Sequence, residues 1–520
     1  MYPGTYAAQF PDKPAVALAG DDSATLTYRD LDQNSIRLAR YLHDHGLRRG
    51  DHIALLTDNY PTAFEVYWAA LRSGLYITAV NRHLSADEVT YIVNDCGAKA
   101  LIVSARAGLD DIASRILPDV PGARIRLSYQ GKVPGYEVYE DALADVSAAP
   151  LSSQPCGADM LYSSGTTGRP KGIEHELPDR EITDEPKPGE ASMSVFALLY
   201  GFGPDMVYLS PGPVYHAAPL RFCGLVHTQG GTVVLVEKFD PEGALDAIQR
   251  YRVTHSQWVP TMFVRMLKLD PAVRERYDVS SLRVAIHAAA PCPVDVKRAM
   301  IDWWGPVLQE YYAATEGIGI TIIDSEQWLS KPGSVGRAGL GVLRICDESG
   351  AELPAGETGI VYFEREEPAF FYHNDEAKTA EARHPQHANW LTTGDIGYLD
   401  SDGFLFLTDR KAFMIISGGV NIYPQEIENA LALHPKVYDV AVIGVPDPEM
   451  GESVLAVVQP APGVLDAGQE PALASELRDY LRERIAHYKV PRAFEFTGEL
   501  PRTPTGKLVK GKLRERYVSR

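Results

Sequence analysis

The chain has 520 residues, long enough for at least two domains and for a core that supports an enzyme site without covalent staples. Its 50 Lys and Arg against 69 Asp and Glu leave a net charge of -19, which argues against non-specific nucleic-acid binding and means that an anionic ligand needs a local pocket of donors. Five cysteines, widely spaced, odd in number and without CxxC or Cys/His spacing, argue against a disulfide framework or a zinc site and fit a reducing cytoplasm.

The start, "MYPGTYAAQFPDKPAV", lacks the basic and apolar regions of a signal peptide, and no apolar run approaches a membrane span, so a soluble protein is expected. From about Leu26 helix and strand alternate. "YRDLDQNSIRLARYLHDHG" has helical periodicity, "DHIALLT" reads as a buried strand, "PTAFEVYWAALRSG" as a helix and "KALIVS" as a strand. This is α/β layering with mainly parallel strands. The acidic, proline-containing segment Leu177 to Glu190 reads as a surface loop or flexible insertion.

Alternation resumes with "TVVLV", "PEGALDAIQRY" and "SLRVAIHAAA". After Gly333 short strands and turns take over, and the "ESG" and "SDG" turns between apolar residues predict β-hairpins. Past "DRKAFMIISGG" a smaller unit begins, with a boundary near Arg410. Its "PQEIENALALHP" is a helix opened by Pro424 and closed by Pro435, "VYDVAVIGV" and "ESVLAVVQPA" are strands, and "ELRDYLRERIAHY" is a helix.

The stretch "YSSGTTGRPKG", Tyr162 to Gly172, combines glycines that permit close backbone approach, hydroxyls that donate hydrogen bonds, and the cation of Lys171. Those are the needs of a polyphosphate, although turn-forming residues alone also explain such a composition. It is not a Walker P-loop: Pro170 and Gly172 break the GxxxxGK[S/T] spacing.

Four more strings follow it: "YYAATEG" (Tyr311 to Gly317), "TGDIGYLD" (Thr393 to Asp400), "DRKAFMIISGGVNIYPQEIE" (Asp409 to Glu428) and "PRTPTGK" (Pro501 to Lys507). In this order and over nearly the full length, the chain resembles the adenylate-forming superfamily of acyl-CoA synthetases, nonribosomal adenylation domains and luciferases, most closely a fatty-acid-type acyl-CoA synthetase. The resemblance implies a large N-terminal α/β domain of layered parallel subdomains plus a small β-rich subdomain (residues 1–409), a hinge (410–412), and a small mobile α+β domain (413–520).

It also implies ATP, Mg²⁺ and coenzyme A as cofactor and co-substrates. Ser163, Ser164, Gly165, Thr166, Thr167, Gly168 and Lys171 would cradle the phosphates. Tyr312 would stack on adenine, Thr315 bond the α-phosphate, Glu316 hold the metal, and Asp395 the ribose, with Arg410 assisting. His216, in "SPGPVYHAAPL", would lie near the carboxylate and α-phosphate. Ala288, Ala289 and Ala290, in "HAAAP", match the small-residue strand end that lines the adenine pocket. Lys507 would bridge carboxylate and α-phosphate during adenylation, and Gly418 and Gly419 would later border the pantetheine tunnel. His216, Lys171, Glu316 and Lys507 are thus the expected catalytic residues.

The pocket for the acid is expected around His216, Trp258, Met262 and Ala290, although core packing explains Trp258, Met262 and Phe263 equally well. No acid or base stands ready for a polar substrate, so a hydrophobic carboxylic acid is expected, a fatty or an alicyclic or steroid side-chain acid. Ala412 occupies the family's pivot position, commonly Lys or Asp, which leaves Ala412 and Lys411 both open as the hinge. A homodimer and an acyl carrier protein acting in trans stay open as partners. An adenylation enzyme that loads acyl groups onto a phosphopantetheine carrier protein, a luciferase-like oxygenase and a catalytically inactive ligand-binding regulator are the other readings, the last disfavoured because Lys171, Glu316 and Lys507 are all present.

Overall fold

A computed structural model describes residues 2–163, 170–185, 193–366, 370–410, 413–465, 468–502 and 508–518, with Arg410 and Val518 described in their backbone only. The chain groups into two compact units, residues 1–257, 272–285 and 370–376 in one and 258–271, 286–369 and 377–520 in the other.

The first unit contains three sheets. In one, six strands run parallel in the order Glu137–Val138, Ile125–Tyr129, Ala100–Ser104, His52–Leu56, Tyr76–Val80 and Ala158–Asp159. The central strands are apolar along their whole length because helices cover both faces of such a sheet, and Ala100 to Val103 are wholly buried. Helix starts are encoded locally. Thr27 and Asp30 exchange hydrogen bonds at the head of Tyr28–Asp44, and Ser85 and Glu88 do the same for Ala86–Asp95, each satisfying amides that the first helical turn leaves open.

A second sheet runs His255–Trp258, Val207–Ser210, Thr232–Leu235 and Pro14–Leu18 in parallel, with Asp21–Thr27 antiparallel at its edge. The third is a small antiparallel sheet of Leu161–Ser163, Lys171–Glu174 and Phe371–Tyr372. The segment from Leu177, expected as a surface loop or flexible insertion, has no helix or strand in its described part and is held to the chain by backbone hydrogen bonds. Cys156 and Ile182 donate backbone hydrogen bonds to Arg180 and Gln154, and Ile182 is buried, an apolar anchor inside an acidic stretch. Its residues 186–190 lie outside the described residues.

The second unit is richer in antiparallel pairs. Leu308–Ala313, Ile320–Asp324 and Arg337–Leu340 form consecutive pairs. Val342–Cys346, Gly359–Glu364, Asp395–Leu399 and Leu405–Arg410 make a further antiparallel sheet, and the expected "SDG" hairpin closes through Gly403, whose amide reaches the Asp400 carbonyl at 3.0 Å.

Toward the C-terminus, the long strands Val437–Asp447 and Gly451–Pro460 form a hairpin covered on both faces. Val440 and Val442 face the helices Pro424–Leu431 and Glu470–Arg482, while Ala441 and Ile443 face Leu500 and Leu513, the period-two alternation of a strand between two apolar layers. The helix expected over "ELRDYLRERIAHY" instead spans Glu470–Arg482, because the stripe Leu473, Leu477 and Leu481 decides which turns are buried; each such leucine contributes about 1.5–3 kcal/mol. All five cysteines are free thiols. No helix among the described residues is long and apolar enough to cross a membrane.

One buried carboxylate makes stability depend on pH. Glu65, on Thr62–Leu71, accepts hydrogen bonds from Asn34 Nδ2 and the Tyr139 hydroxyl, each at 2.9 Å, yet burial pushes its carboxyl from 4.5 to about 7. The unfolded chain releases this proton near its ordinary value, whereas the folded chain keeps it up to about pH 7, so this contribution to stability falls as pH rises between the two values and levels off above. The loss is on the order of 3 kcal/mol. Glu65→Gln is expected to remove that slope, read as the difference between urea midpoints near pH 5 and near pH 8. An unchanged slope in the variant would assign the titration to another group.

Candidate active site

The hydroxyl- and glycine-rich stretch interrupts a hairpin. Leu161–Ser163 pairs with Lys171–Glu174 so that Ser163 stands opposite Lys171. Ser164, Gly165, Thr166, Thr167 and Gly168 lie outside the described residues. The flanks are held from several sides. The Tyr162 hydroxyl donates to Asp95 Oδ2 at 2.5 Å, and burial, with that carboxylate, pushes the phenol up, so it stays a donor. His373 Nε2 donates to the Asp95 carbonyl at 3.0 Å, and its Nδ1 meets Glu174 Oε2 at 2.6 Å. Lys171 Nζ donates to Asp375 Oδ2, and the two side chains form an ion pair.

In the same unit, His216 is the N-cap residue of Ala217–Thr228, half-buried, with its ring 4.7 Å from that of Tyr215. Its extended backbone turns the chain from the strand Val207–Ser210 into the helix. Further along that helix, Arg221 grips Asp159 with Nε and a terminal nitrogen, at 2.9 and 2.6 Å. Burial opposes the charge on Asp159, but the guanidinium outweighs it and holds the carboxyl below its usual value.

The second unit brings the expected nucleoside residues together. The Tyr312 hydroxyl donates to Asp395 Oδ2 at 2.7 Å, and Thr393 Oγ1 donates to the same oxygen at 2.9 Å. Arg410 stands opposite Asp395 in the strand register. Three motif residues separated by up to 98 positions in sequence (410 - 312) thus meet through one hydroxyl and one cross-strand pair. Thr315 and Glu316 sit in the turn that leaves Leu308–Ala313, and Glu316 is buried. That turn closes at Gly317, with φ +68 and its amide on the Ala314 carbonyl, and Arg365 donates to the Gly317 carbonyl at 3.0 Å. Arg365 escaped the sequence reading, because it stands in an ordinary charged run, "FEREE".

Beside these, Ala288 is buried and its amide reaches the Trp258 carbonyl at 3.3 Å, Ala289 is exposed, and Ala290 is half-buried. Ala289 has φ +74, a left-handed conformation that costs an alanine roughly 1–2 kcal/mol. Below them lies a charged cluster that the motifs did not announce. Lys297 Nζ contacts Glu310 Oε2 at 2.5 Å, with His287 Nε2 3.7 Å from the same oxygen, all deeply buried. Burial, reinforced by Lys297, keeps the His287 imidazole neutral, and burial likewise pushes Glu310 up against the pull of Lys297. The available signal was a lysine on the apolar face of Val294–Trp304, among Val296, Met300 and Ile301.

Trp258 is almost wholly buried and packs against Trp304 and Phe263, at ring distances of 5.4 and 6.1 Å, and Met262 is buried as well. Core packing therefore accounts for both side chains. Toward the C-terminus, Gly418 and Gly419 form the two-residue turn between Ile415–Ser417 and Val420–Ile422, with φ +58 and +78, the left-handed pair that such a hairpin demands. A Cβ on Gly418 would come within 2.5 Å of Met450.

Lys507 lies outside the described residues, as do Lys411 and Ala412, but the flanks of the "PRTPTGK" loop are firmly held. Arg502 bridges Leu508 and forks onto Asp439 at 2.5 and 2.6 Å, and Lys510 pairs with buried Glu428 at 2.8 Å.

Comparison with known proteins gives the family. The AMP-binding enzyme family model matches residues 5–370, and the AMP-binding enzyme C-terminal domain model matches residues 426–507. A feruloyl-CoA synthase of an Amycolatopsis species is 34% identical over 524 residues, 99% of this chain and 98% of the relative. A long-chain-fatty-acid–CoA ligase of Mycobacterium tuberculosis is 30% identical over 500 residues, covering 95% and 93%. A ligase of Rhodococcus jostii that joins CoA to a methyl-dioxo-octahydroindenyl propanoic acid is 31% identical over 543 residues, covering 98% and 96%. Among solved structures, an anthranilate CoA ligase in complex with anthranoyl-AMP superposes with a TM-score of 0.82 at 25% identity, covering 99% of this chain and 96% of the other. The chain belongs to the AMP-binding enzyme family, and it is an acyl-CoA ligase of the adenylate-forming, AMP-producing kind.

Proposed function

We propose that this ligase activates a hydrophobic carboxylic acid, either a medium-to-long fatty acid or a bulky alicyclic or steroid side-chain acid, through an acyl-adenylate that is then passed to CoA. A carboxylate is a poor acyl donor because oxide is a hopeless leaving group. Attack of the acid on the α-phosphorus of ATP expels pyrophosphate and leaves AMP as the group that the thiol displaces. The protein's task is to spread the charge of the transferring phosphate and to keep water away from the adenylate.

The observation that carries the nucleotide half of this reading is the Tyr312 to Asp395 hydrogen bond with Arg410 opposite. A buried carboxylate fixed by two hydroxyls suits a ribose, and the aromatic ring beside it suits adenine. Ser163 and Lys171 would meet the outer phosphates, and His216 the substrate carboxylate. For Mg²⁺ the chemistry fits a site shared with the substrate. Among the described residues no three His, Cys, Asp or Glu side chains gather into a metal site, whereas Glu316 and Thr315 offer the oxygen donors that this ion takes alongside phosphates and water. Bound there, the ion would neutralise phosphate charge.

The hydrophobic acid is supported by the fatty-acid and alicyclic-acid relatives. The division of labour about 410–412 rests on the resemblance of the motifs on either side of it. In that division Lys507 serves adenylation, and the Gly418 to Gly419 face serves the thiol.

Pyrophosphate release should be fastest with hydrophobic acids in a panel spanning short, medium and long chains, alicyclic acids and aromatic acids. Product mass should show the acyl-CoA when CoA is present. Preference for feruloyl- or anthranoyl-type acids would replace the hydrophobic assignment with an aromatic one.

Lys507→Ala should abolish adenylate formation while thioesterification of a supplied acyl-adenylate survives. Equal loss of both half-reactions would end this division.

Tyr312→Phe keeps the ring and removes one hydrogen bond to Asp395, so KM for ATP should rise roughly 3- to 10-fold with little change in kcat. A change confined to the KM of the acid would move Tyr312 out of the nucleotide site.

A further inference from the structure

The ion pair between Lys171 and Asp375 puts a carboxylate on the very ammonium that reads as a phosphate ligand. It is a built contact. The strand Lys171–Glu174 pairs with Phe371–Tyr372, with Ile173 opposite Tyr372 and Glu174 opposite Phe371, and the His373 amide donates to the Gly172 carbonyl at 2.9 Å. Asn374 then takes a left-handed φ of +54, and the Asp375 amide closes a turn on the Tyr372 carbonyl at 3.1 Å. His373, locked between Glu174 and the Asp95 carbonyl, fixes this turn against the strand that bears Lys171. The two side chains are each 30% exposed, so a ligand can reach the ammonium while the carboxylate stays in contact with it.

A pyrophosphate or triphosphate approaching Lys171 must share its three N–H donors with Asp375 and meets like charge from the same carboxylate. We propose that Asp375 is the resident counter-ion of Lys171, holding the ammonium in place before nucleotide binds and sharing it with pyrophosphate until that product leaves. The inference rests on Lys171 being a phosphate ligand. Its consequence is that Asp375 deliberately weakens the grip on pyrophosphate, the product whose retention would reverse adenylation.

Inorganic pyrophosphate with Mg²⁺ is the probe, titrated calorimetrically into the full-length wild type, Asp375→Asn, Lys171→Gln and the double variant, each first checked for an unchanged melting temperature. Lys171→Gln should weaken binding about tenfold or more, and Asp375→Asn should tighten it roughly three- to tenfold, with the gain shrinking as salt screens the charges. In the Lys171→Gln background the asparagine substitution should tighten binding clearly less than it does in the wild type, because only direct repulsion is left to remove. Pyrophosphate binding unaffected by Lys171→Gln would overturn the phosphate-ligand reading itself. Weakening by Lys171→Gln without tightening by Asp375→Asn would overturn the counter-ion role alone. Tightening that is just as large without Lys171 would show that Asp375 acts on the ligand directly and not through the lysine, which also overturns it. Should Asp375→Asn fail the melting check, Asp375→Ser takes its place with the same expected outcomes.

Discussion

A charge removed from water must find its opposite nearby, and this requirement organises the chemistry-bearing parts of the chain. Arg221 is spent on Asp159, Lys297 on Glu310, Arg502 on Asp439, Lys510 on Glu428 and Lys171 on Asp375. In a protein of net charge -19 anionic partners are plentiful, and each of these cations has one within contact. Buried pairs such as Lys297 and Glu310 add little net stability, because desolvation offsets their attraction, but losing one partner costs roughly 3–5 kcal/mol. They fix geometry more than they supply stability. The pair at Lys171 differs in its exposure, since both of its side chains reach solvent.

Strand register supplies the other half of the arrangement. Tyr312 and Asp395 belong to different sheets and are 83 residues apart (395 - 312), yet they share a hydrogen bond, and Arg410 is delivered to Asp395 by a short hairpin. Glycines appear where the backbone demands them. Gly418 and Gly419 make a left-handed two-residue turn, and Gly317 closes the turn after Glu316. At Ala289 the chain accepts the same left-handed conformation without glycine, so the strand end beside the buried His287, Lys297 and Glu310 cluster is held in a strained form by what surrounds it.

Much of the architecture was legible because local rules agreed with the fold. Apolar runs such as "DHIALLT" and "KALIVS" became parallel strands covered on both faces, and Pro424 opened its helix as expected. The helix read from "ELRDYLRERIAHY" begins and ends earlier than the string, because burial of Leu473, Leu477 and Leu481 sets its extent. Trp258 and Met262 could not be assigned from sequence, since apolar lining and apolar core look alike, and their burial among aromatic rings favours the core. Asp375 and Arg365 were missed for a related reason: neither stands in a motif, and a charged residue, like His287 within "HAAAP", reveals its partner only in three dimensions.

The sequence by itself pointed to the reaction class, because five motifs in a fixed order resemble those of the adenylate-forming family, and each motif is a short run of neighbouring residues. It also determined the layered α/β plan, since hydrophobic periodicity is a property of neighbouring residues. Only the tertiary structure decided which charges pair, which hydroxyl fixes Asp395, and that Lys171 is shared with a carboxylate 204 positions away. Those outcomes depend on register and packing between distant segments, and a linear pattern holds no record of the energy by which one partner is chosen over another.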